Sequence, residues 1–140
     1  MKYFLATLSI IFLFGAYLPY LFNVLKKHAR PHVFSWLTWC ILMALGFVLS
    51  WQSGGQAGSL IFGFEFFLCL LVAIYSFFGG EKNITRLDWF AFISAMLITV
   101  FYIFTKDPVI SIFLAAVIDA IGFIPTFRKS YWQPQGESVV

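Results

Sequence analysis

Five long apolar stretches restrict the fold of this chain more than any other feature of its sequence. They cover residues 3–25, 33–51, 59–78, 87–104 and 109–127. A helix rises about 1.5 Å per residue, so stretches of this length suit a hydrocarbon layer about 30 Å thick. Of the 140 residues, 61% are hydrophobic and 11% charged, which leaves too little polar surface for a globule in water. We predict an all-α polytopic membrane protein of five transmembrane helices in one integral domain, with a polar tail at 128–140.

The positions of the basic residues predict how the chain is oriented. The first stretch starts like a signal peptide, but it lacks a cleavage site and continues to Leu25, so we interpret it as an uncleaved helix. Seven of the nine Lys and Arg residues follow the first, third and fifth stretches, and only Lys2 and Lys106 lie at the other end. Short basic loops stay in the cytoplasm. We therefore expect an outside N-terminus and a cytoplasmic C-terminus, in a bacterial inner membrane.

Two acidic residues, Glu65 and Asp119, are the carboxylates predicted to lie at membrane depth. An acid there costs on the order of 3 kcal/mol on insertion scales, so it usually faces a bundle interior or water. Two interpretations stay open for each acid: a proton-coupling or substrate-binding group, or a hydrogen-bonded group that packs helices together. Asp119 lies on a helix face of small and polar residues, formed by Ser111, Ala115, Gly122 and Thr126.

The first stretch has a face of its own, which we expect to meet other helices or a cavity. Steps of three and four residues place Ala6, Ser9, Leu13, Ala16, Tyr20 and Asn23 on one side of that helix. Tyr20 and Asn23 are therefore candidate pathway residues together with the two acids. Pro19, inside the same helix, removes a backbone hydrogen bond and is a predicted kink or hinge.

An internal repeat connects the first and fifth stretches. Pro125 corresponds to Pro19: in both copies a glycine precedes the proline, and basic residues, a second proline and a serine follow it. The two stretches are four crossings apart and so point the same way, as a parallel repeat requires. Pro125 is accordingly a second predicted kink or hinge.

The segment LPYLFNVLKKHARPHVFSWLTW, residues 18–39, resembles the PQ-loop motif of the SWEET sugar transporters and their half-size SemiSWEET relatives. There a helix ends with Leu-Pro-Gln and a basic segment leads to Ser and Trp. The resemblance implies a three-helix unit, a linker helix and the start of a second parallel unit. Tyr20 and Thr126 stand where the family has Gln, and the sugar-contacting Trp and Asn find no counterpart, so the substrate stays unknown. A second unit of one helix implies either a longer, seven-helix chain or a homo-oligomer.

Other classes of function find little support in the sequence. Phosphate-binding loops and nucleophile motifs are missing, and Cys40 and Cys69 lie in apolar runs where small buried thiols are expected. His28 and His32 are separated by Pro31 and have no accompanying acidic ligand, so we predict no metal and no cofactor. The basic residues form no stripe for nucleic acid. We predict a non-enzyme: a small-solute transporter in the lipid bilayer that works by alternating access or, alternatively, a non-transporting membrane scaffold or accessory protein.

Overall fold

A computed structural model describes residues 1–80 and 84–132 of the chain, with the backbone alone for 122–130 and 132. The described residues form five helices and no strand, which confirms the all-α prediction. The helices are α1 (Lys2–Leu25), α2 (Val33–Gln52), α3 (Gln56–Gly79), α4 (Arg86–Thr105) and α5 (Pro108–Trp132). The last helix is longer than predicted, because it continues through the first residues of the segment that we had assigned to the polar tail. The rest of that tail, 133–140, lies outside the described residues.

The surface of the bundle has the character expected of a protein in lipid. Helices α1 to α4 are each long and apolar enough to cross a membrane, and α5 is apolar over Pro108–Ile121. Large apolar side chains such as Phe12 and Phe104, which are 70% and 82% exposed, point away from the bundle. In water such a surface would be strongly unfavourable, whereas hydrocarbon accepts it. The fold is that of a polytopic helical membrane protein.

The helices do not pack in the order of the chain. Helices α2 and α3 share the most extensive interface, and α1 packs on α3. Helix α4 packs against α2 and α5, and α5 also touches α2. Within the described residues, α1 has no close backbone approach to α2, α4 or α5. The spatial order is therefore α1, α3, α2, α4, with α5 beside α2 and α4.

Two groups of buried side chains hold this arrangement together. The first joins α2, α4 and α5 and consists of Leu42, Leu45, Leu49, Ala95, Ile98 and Ile118. The second joins α2 and α3 through Trp36, Cys40, Cys69, Val72 and Ala73, with Tyr17 and Tyr20 of α1 packed against it. Ala95 and Ser111 are fully buried, and side chains this small let neighbouring helices approach closely in a membrane.

The α1–α2 and α3–α4 loops lie against each other at one end of the bundle. A Cβ atom built on Gly80 would be 2.4 Å from the carbonyl oxygen of Pro31, so the two backbones are in tight contact. Nearby, His32 Nε2 is 3.6 Å from Asp88 Oδ2. Asp88 and Thr85 form a capping box that begins α4. This is the end at which the basic α1–α2 loop was predicted to be cytoplasmic.

The face that α1 presents to the bundle agrees with the predicted one in part. Ala6 is buried and Tyr20 packs on Trp36, as predicted, whereas Ser9 and Ala16 are exposed. The packed side also includes Tyr17 and the buried Val24. Tyr75 of α3 donates a hydrogen bond from its hydroxyl to the Val24 carbonyl oxygen at 2.9 Å. Tyr17 therefore faces the neighbouring helix where Ala16 was expected to do so.

Both predicted kink positions lie inside continuous helices. Helix α1 runs through Pro19 without ending, and α5 runs through Pro125. The side chains around Pro125 lie outside the described residues. A role for either proline as a kink or hinge stays a prediction.

Candidate functional site

Four side chains from four helices meet at the centre of the bundle, and we call them the carboxyl cluster: Tyr17, Trp39, Glu65 and Asp119. The Tyr17 hydroxyl donates to Glu65 Oε1 at 3.4 Å and lies 3.9 Å from the sulfur of Cys69. The Trp39 side chain hydrogen-bonds to Asp119, with the indole N–H as the donor. Glu65 and Asp119 are close enough to interact electrostatically. Both acids predicted from the sequence therefore belong to one site.

A row of aromatic rings connects the α1 side of the cluster to Trp39. Tyr20 stacks on Trp36 with ring centroids 5.3 Å apart, and Tyr17 meets the same indole edge-on at 6.3 Å. Trp36 in turn meets Trp39 at 5.0 Å with perpendicular rings. Edge-to-face and offset contacts of this kind are favourable and fix ring orientation. The row holds the indole of Trp39 where its N–H reaches Asp119.

The carboxyl cluster includes side chains from two helices that do not pack against each other. Helices α1 and α5 both contribute to it, yet their described backbones are not in contact. The α2–α3 pair lies beneath both and supplies Trp39 and Glu65. All four side chains are partly buried, so they are neither open to the surroundings nor sealed in a core. A site bounded by two separate helices can change its width when either helix moves.

The chemistry of the cluster is that of proton exchange and polar binding. Two carboxyl groups that interact repel each other when both are ionised. The Tyr17 hydroxyl and the Trp39 indole each donate to one of the acids. Such a site can hold or release one proton, and it can bind a small solute that carries hydrogen-bond donors. The described residues contain no group of three or more His, Cys, Asp or Glu side chains arranged to hold a metal ion.

The other predicted pathway residues have different positions. Tyr20 belongs to the aromatic row, where its ring stacks on Trp36. Asn23 lies at the end of α1, where its backbone carbonyl accepts from the N–H groups of His28 and Ala29 and so closes the helix. His32, at the start of α2, has its Nε2 3.6 Å from Asp88 Oδ2.

Sequence reasoning named neither Tyr17 nor Trp39 as a candidate site residue. Tyr17 precedes Tyr20 by three residues, so helical spacing alone puts the two rings on neighbouring positions of one face. A polar-tipped aromatic residue in an apolar run usually needs a hydrogen-bond partner, and that requirement was the available signal. A Trp near the start of an apolar helix is typical of the membrane boundary, so the position of Trp39 gives no signal for a site.

Comparisons of the chain with protein-family models, with curated proteins and with solved structures find no match.

Proposed function

We propose that the protein is a proton-coupled transporter of a small solute, with PQ-loop-like architecture and an alternating-access mechanism. The observation that carries the proposal is the convergence of Glu65 and Asp119, from α3 and α5, in one partly buried cluster. In this proposal the cluster binds the solute and exchanges a proton with it. The basic end of the bundle faces the cytoplasm of a bacterial cell.

The proximity of the two acids favours transport over a purely structural role. A single buried acid can pack helices together when it is neutral or hydrogen-bonded. Placing a second acid beside it adds repulsion without adding any contact that Gln or Asn could not make. Exchange of a proton, by contrast, requires an ionisable group, which Gln or Asn cannot supply. Tyr17 and Trp39 each hydrogen-bond to one of the two acids.

The way in which α1 is attached supports alternating access. Helix α1 has its close backbone approach to α3, and its hydrogen bonds to that helix include those from Tyr17 to Glu65 and from Tyr75 to the Val24 carbonyl. Its contact with α2 consists of aromatic packing on Trp36. Movement of α1 relative to α3 therefore breaks a contact of the cluster directly. Such movement would couple the separation of α1 and α5 to the hydrogen bonding of Glu65.

Flux measurements in proteoliposomes test the proposal. The purified protein is reconstituted in vesicles that contain a pH-sensitive dye, and proton uptake is followed while sugars, amino acids and other small solutes are offered. We expect solute-dependent proton movement that Asp119→Asn or Glu65→Gln abolishes. Asp107→Asn is the matched control, because Asp107 lies in the α4–α5 turn and Asn can still accept from the Val109 N–H at 3.0 Å.

The same flux measurements also define the result that would reject transport. Folded protein that moves neither protons nor any offered solute, and whose behaviour Asp119→Asn leaves unchanged, contradicts the proposal. In a scaffold or accessory protein, the same substitutions would change only thermal stability or assembly.

A further inference from the structure

A small cavity lies between α2, α4 and α5, next to the carboxyl cluster. Its volume is about 10 Å³, and the residues around it include Ser35, Thr38, Trp39, Asp88 and Ile118. Roughly this volume is needed for one water molecule. A cavity of this size, with the polar side chains of Ser35, Thr38 and Asp88 in an otherwise largely apolar wall, is a candidate site for a single ordered water.

Thr38 supplies the strongest reason for an occupant. The residue is 4% exposed, and its hydroxyl oxygen is the buried side-chain polar atom that has no hydrogen-bond partner within the described part of the chain. An unpaired hydroxyl in an apolar interior is unfavourable, and such groups are usually satisfied by protein or by ordered water. Water in the cavity would satisfy it.

Asp88 offers a second polar group on the wall of the same cavity. Its contacts all use Oδ2, which accepts from the Thr85 N–H at 2.7 Å and the Thr85 hydroxyl at 2.6 Å and lies 3.6 Å from His32 Nε2. No described hydrogen bond reaches Oδ1. A water molecule can donate to a carboxylate oxygen and also pair with a hydroxyl, so it matches both Asp88 and Thr38.

The two ends of the cavity differ. At the outer end, Asp88 is paired with His32, whose side chain is 19% exposed and therefore reaches the surroundings. At the inner end, Trp39 lines the cavity and also hydrogen-bonds to Asp119. The indole of Trp39 is thus a shared wall between the cavity and the carboxyl cluster.

We infer that this cavity holds a water molecule bound by Thr38 and that it is the route by which protons pass between the His32–Asp88 pair and Asp119. The inference rests on the proposed function and adds the path that the coupling protons take. Each transfer forms one O–H or N–H bond while another breaks, so no further reactant is consumed. Because Trp39 closes the inner end, the last transfer to Asp119 follows movement of its indole. Protons can therefore pass along the route only after the Trp39 indole has moved, and the route is closed in the conformation described above.

Substitutions at Thr38 test the route in the same proteoliposomes. Thr38→Val keeps the shape of the side chain and removes the hydroxyl, so the water loses its ligand. We expect proton flux to fall by about tenfold, as expected when the barrier rises by about the strength of one hydrogen bond. Thr38→Ser retains the hydroxyl and should restore most of the flux. Thr99→Val is the control, since the Thr99 hydroxyl donates to the Ala95 carbonyl at 3.0 Å and does not line the cavity.

Thermal unfolding of each variant separates conduction from structure. Replacing a water-bound hydroxyl with a methyl group of similar size should change the melting temperature of Thr38→Val little, while flux falls. His32→Gln is a second variant, which keeps a hydrogen-bonding side chain but cannot carry a proton, and we expect it to lower flux as well. Wild-type flux in either folded variant, with Asp119→Asn still inactive, overturns the route and leaves the proposed function standing. Unchanged flux in Asp119→Asn overturns both.

Discussion

Replacing Tyr17 with Phe measures whether the carboxyl cluster contributes to the attachment of α1. The substitution removes only the hydroxyl that donates to Glu65, and it keeps the ring that meets Trp36 edge-on. The oxygen–oxygen distance of 3.4 Å is long for this kind of bond. We therefore expect the free energy of unfolding to fall by about 0.5–1 kcal/mol, the lower half of the usual range for one intramolecular hydrogen bond.

A double-mutant cycle assigns that loss to its partner. We would measure denaturant unfolding of Tyr17→Phe, Glu65→Met and the double variant, all in one kind of detergent micelle. Met is chosen at position 65 because it resembles Glu in length but accepts hydrogen bonds only weakly. If the two side chains are bonded, the double variant loses less stability than the sum of the single ones. Tyr75→Phe is the comparison: it removes a 2.9 Å bond from the same α1–α3 interface and should be additive with Glu65→Met. A Tyr17–Glu65 coupling below about 0.3 kcal/mol, the usual scatter of additive pairs, would refute the contact.

Two further substitutions test the end of the bundle where the loops meet, both by thermal or denaturant unfolding. Gly80→Ala places a Cβ 2.4 Å from the Pro31 carbonyl oxygen and should lower the free energy of unfolding by more than about 2 kcal/mol. A Cβ at Gly58 meets nothing within 4 Å, so Gly58→Ala should be neutral or stabilise α3 by up to about 1 kcal/mol. Equal stability of the two variants contradicts the close approach of the two loops. Thr85→Ala removes the capping box of α4 and should cost about 1 kcal/mol, and an unchanged stability would show that the cap contributes nothing.

The positions of the helices could be predicted from the sequence because each one depends on the composition of its own stretch. A stretch must be apolar along its whole length to lie in lipid, so each of the five helices is visible in the chain without knowledge of its neighbours. Because every side of such a helix is apolar, the sequence does not show which face packs against other helices. A helix such as α1, apolar on all sides, has no polar side to mark the surface that turns away from the bundle, and the small and polar positions Ser9 and Ala16 proved to be exposed.

The candidate site could be predicted from the sequence only in part, because the sequence does not show which helices pack together. Glu65 and Asp119 stood out because an acid in an apolar run is unfavourable unless something nearby compensates for it. Their proximity depends on the order in which the helices pack, with α3 between α1 and α2 and with α5 beside α2, and that order is set by contacts far apart in the chain. Trp39 could not be recognised from the sequence, because an indole near a helix end suits the membrane boundary equally well.

The docking of α1 on α3 has a consequence for the order in which the protein is made. Helix α1 is synthesised first, but its partner α3 follows only after the whole of α2. During that interval Tyr17 and Tyr20 can already pack on Trp36 of α2, whereas the surface of α1 that faces α3 can be covered only by lipid or by the insertion machinery. Tyr17 likewise lacks its acceptor until Glu65 leaves the ribosome. A nascent chain that stalls in the α2–α3 turn would therefore carry a first helix that is inserted but lacks its hydrogen bonds to α3.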